Sequence, residues 1–217
     1  MVYPVLNQTL FNLARLWVRK VTGLENLKKT KVFIFASNHG SFADDIILPA
    51  IIVKYLQVNL HIYCNDRFYK NFFLRKFLEF GRCIPIRVGE KTEEANKINQ
   101  KAFDMAVNFL RNEKEIVGIF PEGGRTKDGK LMPAKWGVAK LALAARVPVI
   151  PIGAIGTYDI WPKGSPFPRF KRCEIHIGEP IYLDKFYGME DNQNILKEIT
   201  TLIMKDIAKL SKLEYNY

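Results

Sequence analysis

Along this chain, short apolar runs rich in β-branched and aromatic residues alternate with stretches whose apolar residues recur at helical spacing. That alternation restricts the fold more than any other feature. The runs lie at 31–36, 59–63, 83–88, 115–120 and 147–152, and each reads as a strand of a buried sheet. Between them, 92–111 is the clearest helix: Ala95, Ile98, Ala102, Met105, Ala106 and Phe109 share one face, Thr92 reads as the N-cap, and Glu93 and Glu94 suit the positive end of the helix dipole. Further helices are expected at 134–146 and 192–212, the second turning Ile195, Ile199, Leu202, Ile203 and Leu210 inward. The pattern predicts an α/β fold, a largely parallel sheet flanked by helices on both faces, with reactive residues at the strand ends. Ahead of the first strand, 4–21 reads as an N-terminal amphipathic helix, with Val5, Leu6, Leu10, Leu13 and Trp17 at helical spacing and Arg15, Arg19 and Lys20 toward its end.

A chain of 217 residues without repeats or a Gly/Pro-rich linker is expected to form one domain, 1–217, with residues 1–25 as the amphipathic segment. Thirty-three Lys and Arg against 22 Asp and Glu give a formal charge of +11, which calls for an anionic partner: nucleic acid, an acidic lipid surface or a phosphorylated substrate. Cys64, Cys83 and Cys173 are odd in number and lack metal-ligand spacing, so neither a disulfide framework nor a metal site is expected, and a reducing compartment fits. No uncharged stretch reaches the ~20 apolar residues of a spanning helix. The first residues also lack the positive region of a secretory signal, so the chain reads as mature protein.

Four segments carry candidate chemistry. The first is Asn38-His39-Gly40-Ser41-Phe42-Ala43-Asp44-Asp45, directly after the first strand. With His39 in the loop and Ser41 capping the following helix, Asp44 can turn back toward the imidazole and form a His–Asp dyad. Ser41-x-x-Asp44 is equally a near match to a capping box, which needs no catalysis, and one arrangement can serve both ends. The second is Phe120-Pro121-Glu122-Gly123-Gly124-Arg125-Thr126. Its glycines let backbone amides approach an anion and Arg125 offers a planar fork for phosphate, or the segment is a plain turn with a solvated Arg. The third, 81–87, places Arg87 at a strand end, where open α/β sheets bind ligands. The fourth, Val147-Pro148-Val149-Ile150-Pro151, reads as structural, an edge or end of the sheet.

The series Asn-His-x-Ser-x-x-Asp, Gly-x-x-x-x-x-Arg, Phe-Pro-Glu-Gly-x-Arg and Val-Pro-x-x-Pro resembles the glycerolipid acyltransferase family that includes the 1-acylglycerol-3-phosphate acyltransferases. The resemblance covers about 33–152, with Lys135 and Gly137 matching the family's Lys-x-Gly. It implies transfer of an acyl group from acyl-CoA or acyl carrier protein to a glycerol hydroxyl, as in making phosphatidic acid from lysophosphatidic acid, without a metal or prosthetic group. Glycerol 3-phosphate or another lysolipid is the alternative acceptor. The same resemblance makes His39 the general base, Asp44 its orienting acid, and Arg87, Glu122, Gly123 and Arg125 acceptor-binding residues. Gly124 departs from the pattern, since many relatives carry Thr or Ser there.

The reaction makes sense chemically. An alcohol is a weak nucleophile at neutral pH, so a base must take its proton as it attacks the thioester, and backbone amides must receive the oxyanion. A lipid substrate also accounts for 67–82, where Phe68, Tyr69, Phe72, Phe73, Phe77 and Phe80 interleave with Arg67, Lys70, Arg75, Lys76 and Arg82. Membrane contact is expected through Arg67, Phe72, Arg75 and Lys76, with 161–172 and the N-terminal helix as further contacts, on a protein peripheral to the cytoplasmic face of a membrane bearing anionic lipid. A basic nucleic-acid-binding module is the competing class. It leaves the His39 and Arg125 segments unexplained, and no nucleic acid partner is expected.

Overall fold

A computed structural model of the protein describes residues 11–12 and 14–217. Among the described residues, seven strands form one sheet: β1 (Val18–Thr22), β2 (Ile34–Ser37), β3 (Leu60–Asn65), β4 (Ile84–Ile86), β5 (Ile116–Ile119), β6 (Val149–Ile155) and β7 (Cys173–Ile177), in the order β1-β7-β6-β2-β5-β3-β4. The central strands are parallel, β7 runs antiparallel to β6, and β1 runs parallel to β7. The helices are α1 (Asp44–Leu56), α2 (Phe72–Phe80), α3 (Glu93–Asn108), α4 (Gly137–Ala145), α5 (Thr157–Ile160) and α6 (Gln193–Ser211).

The period of two along β2 separates the core into two layers. Ile34 and Ala36 face α3, α4 and α6, where they join Ala102, Ala106, Val138, Leu141, Ile199 and Ile203. Phe33 and Phe35 face the other side and pack with Ile47, Leu48 and Ile51 of α1. Strands buried on both faces are near-continuous in apolar residues, which is why β2, β5 and β6 stand out in the sequence. Thr92 caps α3 as its residue type implies, accepting from the Ala95 amide at 3.1 Å.

Three expectations are corrected. The N-terminal helix does not reach residue 21, because Val18–Thr22 is a strand pairing in parallel with β7. Trp17 already accepts a 2.7 Å bond from the Cys173 amide through its carbonyl, and Arg19 pairs with Glu174. Hydrogen bonds to a distant strand outweigh local helical spacing here. Val5, Leu6, Leu10 and Leu13 of that expected helix lie outside the described residues.

The proline-bearing strand, in turn, is not an edge, because β6 lies between β7 and β2. Pro151 fits because its carbonyl points to the β7 side and accepts from Gly178 at 2.8 Å. Its missing N–H would point the same way, beyond the last β6–β7 pair at Ile152 and Ile177, and pairing resumes at Val149 and Ile181. The basic aromatic segment, finally, is not one helix. A 3₁₀ turn at Asp66–Lys70 precedes α2, and Asn71 restarts the chain by accepting from the Leu74 amide at 3.0 Å.

Candidate functional site

Strands β2 to β6 all point their C-terminal ends to one edge of the sheet, so the segments after β2, β5 and β6 meet there. The β2–β6 ladder ends at Ser37 and Ile152, and the Asn38 side chain then prolongs it. Its amide donates to the Ala154 carbonyl at 2.9 Å, and its oxygen accepts from the Ala154 amide at 2.8 Å. The next residue, His39, is held at both main-chain atoms by the segment after β5. Its N–H donates to Glu122 Oε1 at 2.8 Å and its carbonyl accepts from the Thr126 amide at 3.0 Å. Its ring stacks on Phe120, 3.9 Å between centroids and 12° from parallel. Gly40 lets this loop lie against α5, for a Cβ there would stand 2.8 Å from Thr157 Oγ1.

His39 Nδ1 lies 3.1 Å from Asp44 Oδ2, and the same oxygen accepts from the Ser41 amide at 2.7 Å. The dyad and the turn-forming readings of this segment are therefore one arrangement. Ser41 Oγ accepts from the Ala43 amide at 3.0 Å, so Ser41 shapes the turn while Asp44 opens α1. Asp44 is fully buried, and its Oδ2, already an acceptor for the Ser41 amide, is placed to accept from Nδ1–H, the tautomer that leaves the lone pair on Nε2. Burial opposes charge on His39, but the Asp44 hydrogen bond and the charges of Asp45 and Asp44 outweigh it and raise the imidazole above its ordinary pKa. The other histidines serve elsewhere. His61 bonds Glu115 Oε2 at 2.5 Å and the Arg82 carbonyl at 2.9 Å, and His176 bonds Thr22 Oγ1 at 2.8 Å.

The segment after β5 forms the other wall. Gly123 adopts φ +68°, and a Cβ on it would sit 2.9 Å from Lys135 Nζ, so both conformation and space require glycine there. At Gly124 an added Cβ meets nothing within 4 Å, so the departure from Thr or Ser leaves open space. Arg125 stacks its guanidinium over Phe42 at 4.5 Å, and Phe42 also contacts Trp161 (5.3 Å between centroids) and Phe68 (6.4 Å). His39, Asp44, Glu122, Gly123 and Arg125 are thus brought together. Burial, with Asp44's negative charge adding to it, raises the Glu122 carboxyl above its ordinary pKa against the pull of the His39 and Met132 amides.

Two of the expected acceptor-binding residues are engaged by protein groups. Glu122 accepts from the His39 amide and the Met132 amide, each at 2.8 Å, and so braces the His39 loop. Arg87 follows β4, three strand spacings from β2 or about 14 Å. Its guanidinium is held by Asp66 at 2.5 Å, with Glu90 and Glu94 at 3.4 and 3.5 Å. Asn38, Phe42, Phe120 and Lys135 complete the site without having been assigned roles from sequence. Asn38, Phe42 and Phe120 stood inside the candidate segments, and Lys135 in the Lys-x-Gly match, but no role came with those positions. Among the described residues no group of three or more His, Cys, Asp or Glu side chains is placed to hold a metal ion.

Comparison with known proteins adds family context to this geometry. A family model described as "Acyltransferase" matches residues 18–155. The 1-acyl-sn-glycerol-3-phosphate acyltransferase of Bacillus subtilis is 25% identical over 176 residues, covering 81% of this chain and 80% of that protein. A taffazin of Dictyostelium discoideum is 25% identical over 88% of this chain and 69% of its own length. A chloroplastic 1-acyl-sn-glycerol-3-phosphate acyltransferase of Brassica napus is 31% identical over 76% of this chain and 45% of its own length. The crystal structure of the acyltransferase PlsC from Thermotoga maritima superposes with a TM-score of 0.69 over 99% of this chain and 83% of that one, at 21% identity, a likeness of fold.

Proposed function

The chain belongs to the acyltransferase family, and from that premise we propose that it moves a fatty acyl group from acyl-CoA or acyl carrier protein to the free hydroxyl of lysophosphatidic acid, giving phosphatidic acid. The observation that carries the reading is the His39 ring, whose Nδ1 is bound by buried Asp44, leaving Nε2 to accept a proton beside the cation of Arg125. In the proposed reaction the acceptor hydroxyl gives its proton to Nε2 as its oxygen attacks the thioester carbonyl. Amides of the segment after β5 receive the oxyanion, and the departing thiolate takes the proton back. No side chain becomes acylated and no resident cofactor is required. A second reading, in which the acceptor is another lysolipid or glycerol 3-phosphate, draws support from the similarity to taffazin and from the open space at Gly124. Purified protein offered lysophosphatidic acid, glycerol 3-phosphate and other lysolipids, each with acyl-CoA and with acyl carrier protein, separates the two. No transfer with any pair sinks both.

Arg125 is the proposed clamp for the acceptor phosphate. Arg87, already paired with Asp66, acts as an outer anchor only by exchanging that carboxylate for phosphate. Arg125→Lys keeps the charge but loses the planar fork, so acceptor KM is expected to rise about tenfold, or ~1.4 kcal/mol, with little change toward the donor. A defect confined to the donor would move Arg125 to the coenzyme or carrier side.

The proposed working place is the face of a membrane bearing anionic lipid. Among the described residues no helix is long and apolar enough to cross a membrane. Support for docking comes from two exposed aromatic patches that flank Phe42 at the site's edge of the sheet. α2 exposes Phe72, Phe73 (82%), Phe77 and Phe80, and 161–172 exposes Phe167 and Phe170 (98%). Arg75 and Lys76 both pair with Glu79, so the stronger charge lies on 161–172, which carries Lys163, Arg169, Lys171 and Arg172 and no acid. Each such cation near the surface contributes about 1 kcal/mol. Sedimentation with anionic vesicles is therefore expected to weaken with salt, to fall on changing Phe73 and Phe77 to Ser, and to fall further on changing Phe170 to Ser. A triple variant that sediments like the parent would place the contact elsewhere.

A further inference from the structure

His39 has a carboxylate near each ring nitrogen. Asp44 Oδ2 bonds Nδ1 at 3.1 Å, and Asp45 Oδ2 lies 4.0 Å from Nε2. The two acids are neighbours at the start of α1, about 100° apart around the helix, which is why they reach opposite sides of one imidazole. Their surroundings differ. Asp44 is sealed in the core, whereas the Asp45 side chain is 34% exposed, on the Nε2 side of the ring. The Asn-His-x-Ser-x-x-Asp pattern ends at Asp44, so the acid at Asp45 lies outside it.

We propose that Asp45 is a positioning residue for the acyl transfer, its carboxylate stabilising by charge the imidazolium formed when His39 Nε2 takes the acceptor proton, until the leaving thiolate removes that proton. The inference rests on the reading of His39 as the general base. Every atom is accounted for. The hydroxyl O–H breaks and its proton moves to Nε2 while the oxygen bonds to the thioester carbon. The C–S bond then breaks, and the thiolate takes the Nε2 proton and leaves as the thiol. Above its own titration, Asp45 stays ionised through the cycle and acts by charge, stabilising the imidazolium that exists between the two steps. At 4.0 Å from Nε2 the Asp45 oxygen is close enough to act on the ring by charge without itself touching the reacting hydroxyl.

The groups facing Asp45 set the direction of its pH dependence. Though a third of the side chain is exposed, desolvation of the carboxyl by the surrounding protein raises it to about 6, and Asp44 on the same helix adds to this, while His39 and Arg125 pull it down. Asp45 in turn lies near Cys64 at the end of β3 and Cys83 ahead of β4. Its negative charge also contributes to the raised imidazole pKa of His39, opposed by Arg125. Removing the charge therefore makes His39 a weaker base that stays unprotonated to lower pH.

Asp45→Asn keeps the side chain's shape and removes its charge. Measured with whichever donor and acceptor pair the parent turns over, its kcat on the alkaline plateau is expected to fall about tenfold, while the acid limb of kcat/KM moves down by about half a pH unit or more. The two profiles then approach each other at low pH. Asp45→Glu, which restores a carboxylate one methylene longer, is expected to return the acid limb toward the parent's. An Asn variant within twofold of the parent on the plateau, or one reduced by the same factor at every pH with an unmoved limb, overturns the proposal and leaves Asp45 as a helix-terminus charge. Should Asp45→Asn not fold, Asp45→Ser supplies the same comparison. His39→Ala in parallel keeps the two readings apart, since turnover in that variant overturns the general base itself.

Discussion

A folded His39→Ala protein is expected to transfer acyl groups about 10²- to 10⁴-fold more slowly than the parent, the range that general-base assistance supplies. The fold should survive because the bonds that hold this loop run to the main chain of residue 39, through Glu122 and Thr126, and Asn38 fastens the preceding residue to β6. What the substitution removes is the ring stacked on Phe120 and the donor to Asp44. Asp44 keeps the Ser41 amide on Oδ2, and its Oδ1 has no protein partner among the described residues, so the variant leaves a buried carboxylate less satisfied than before. A penalty of ~1–3 kcal/mol follows, or a few degrees to about ten in Tm for a chain of this length. Thermal melts with near-ultraviolet circular dichroism establish folding, and initial rates with saturating donor and acceptor establish activity. Near-parent turnover in a folded variant would remove His39 from the chemistry.

The parts of this protein that were readable in its sequence are those set by neighbours in the chain. The apolar runs of β2, β5 and β6 announce themselves because both faces of those strands are covered, and α3 shows its face and its cap because helix contacts repeat within a few residues. The His39–Asp44 bond was legible for the same reason, five residues apart across one turn. β1 was not, since Val18–Thr22 becomes a strand only through pairing with β7, about 150 residues later. β7 itself carries the needed signal, with Cys173, Ile175 and Ile177 buried and Glu174 and His176 between them, but its basic neighbours in 161–172 read as loop. Roles that depend on distant donors were equally hidden. Nothing near Arg87 in sequence shows that Asp66 is its partner, and nothing near Glu122 shows that an amide 83 residues upstream takes one of its oxygens.

That last contact yields the sharpest test of how the site is held. Both partners of Glu122 are donors, the amides of His39 and Met132, so a side chain with two acceptor oxygens satisfies them and one with a single acceptor cannot. Glu122→Gln, nearly identical in shape, must turn its NH₂ toward one of these N–H groups and leave a buried donor unpaired, at a cost of ~1–3 kcal/mol. Either way the loop loosens: the lost bond frees the His39 main chain directly, or it frees Met132 and with it the segment that follows Gly123 and Arg125. A displacement of the base by about 1 Å lowers turnover on the order of 10²-fold, so kcat is expected to drop together with Tm while acceptor KM changes little. The resemblance to the family implies the opposite pattern, an acceptor KM that rises selectively in a protein of parental stability. Melting curves and a kcat-against-KM separation on the one variant therefore decide whether Glu122 grips the lipid or the loop that carries its base.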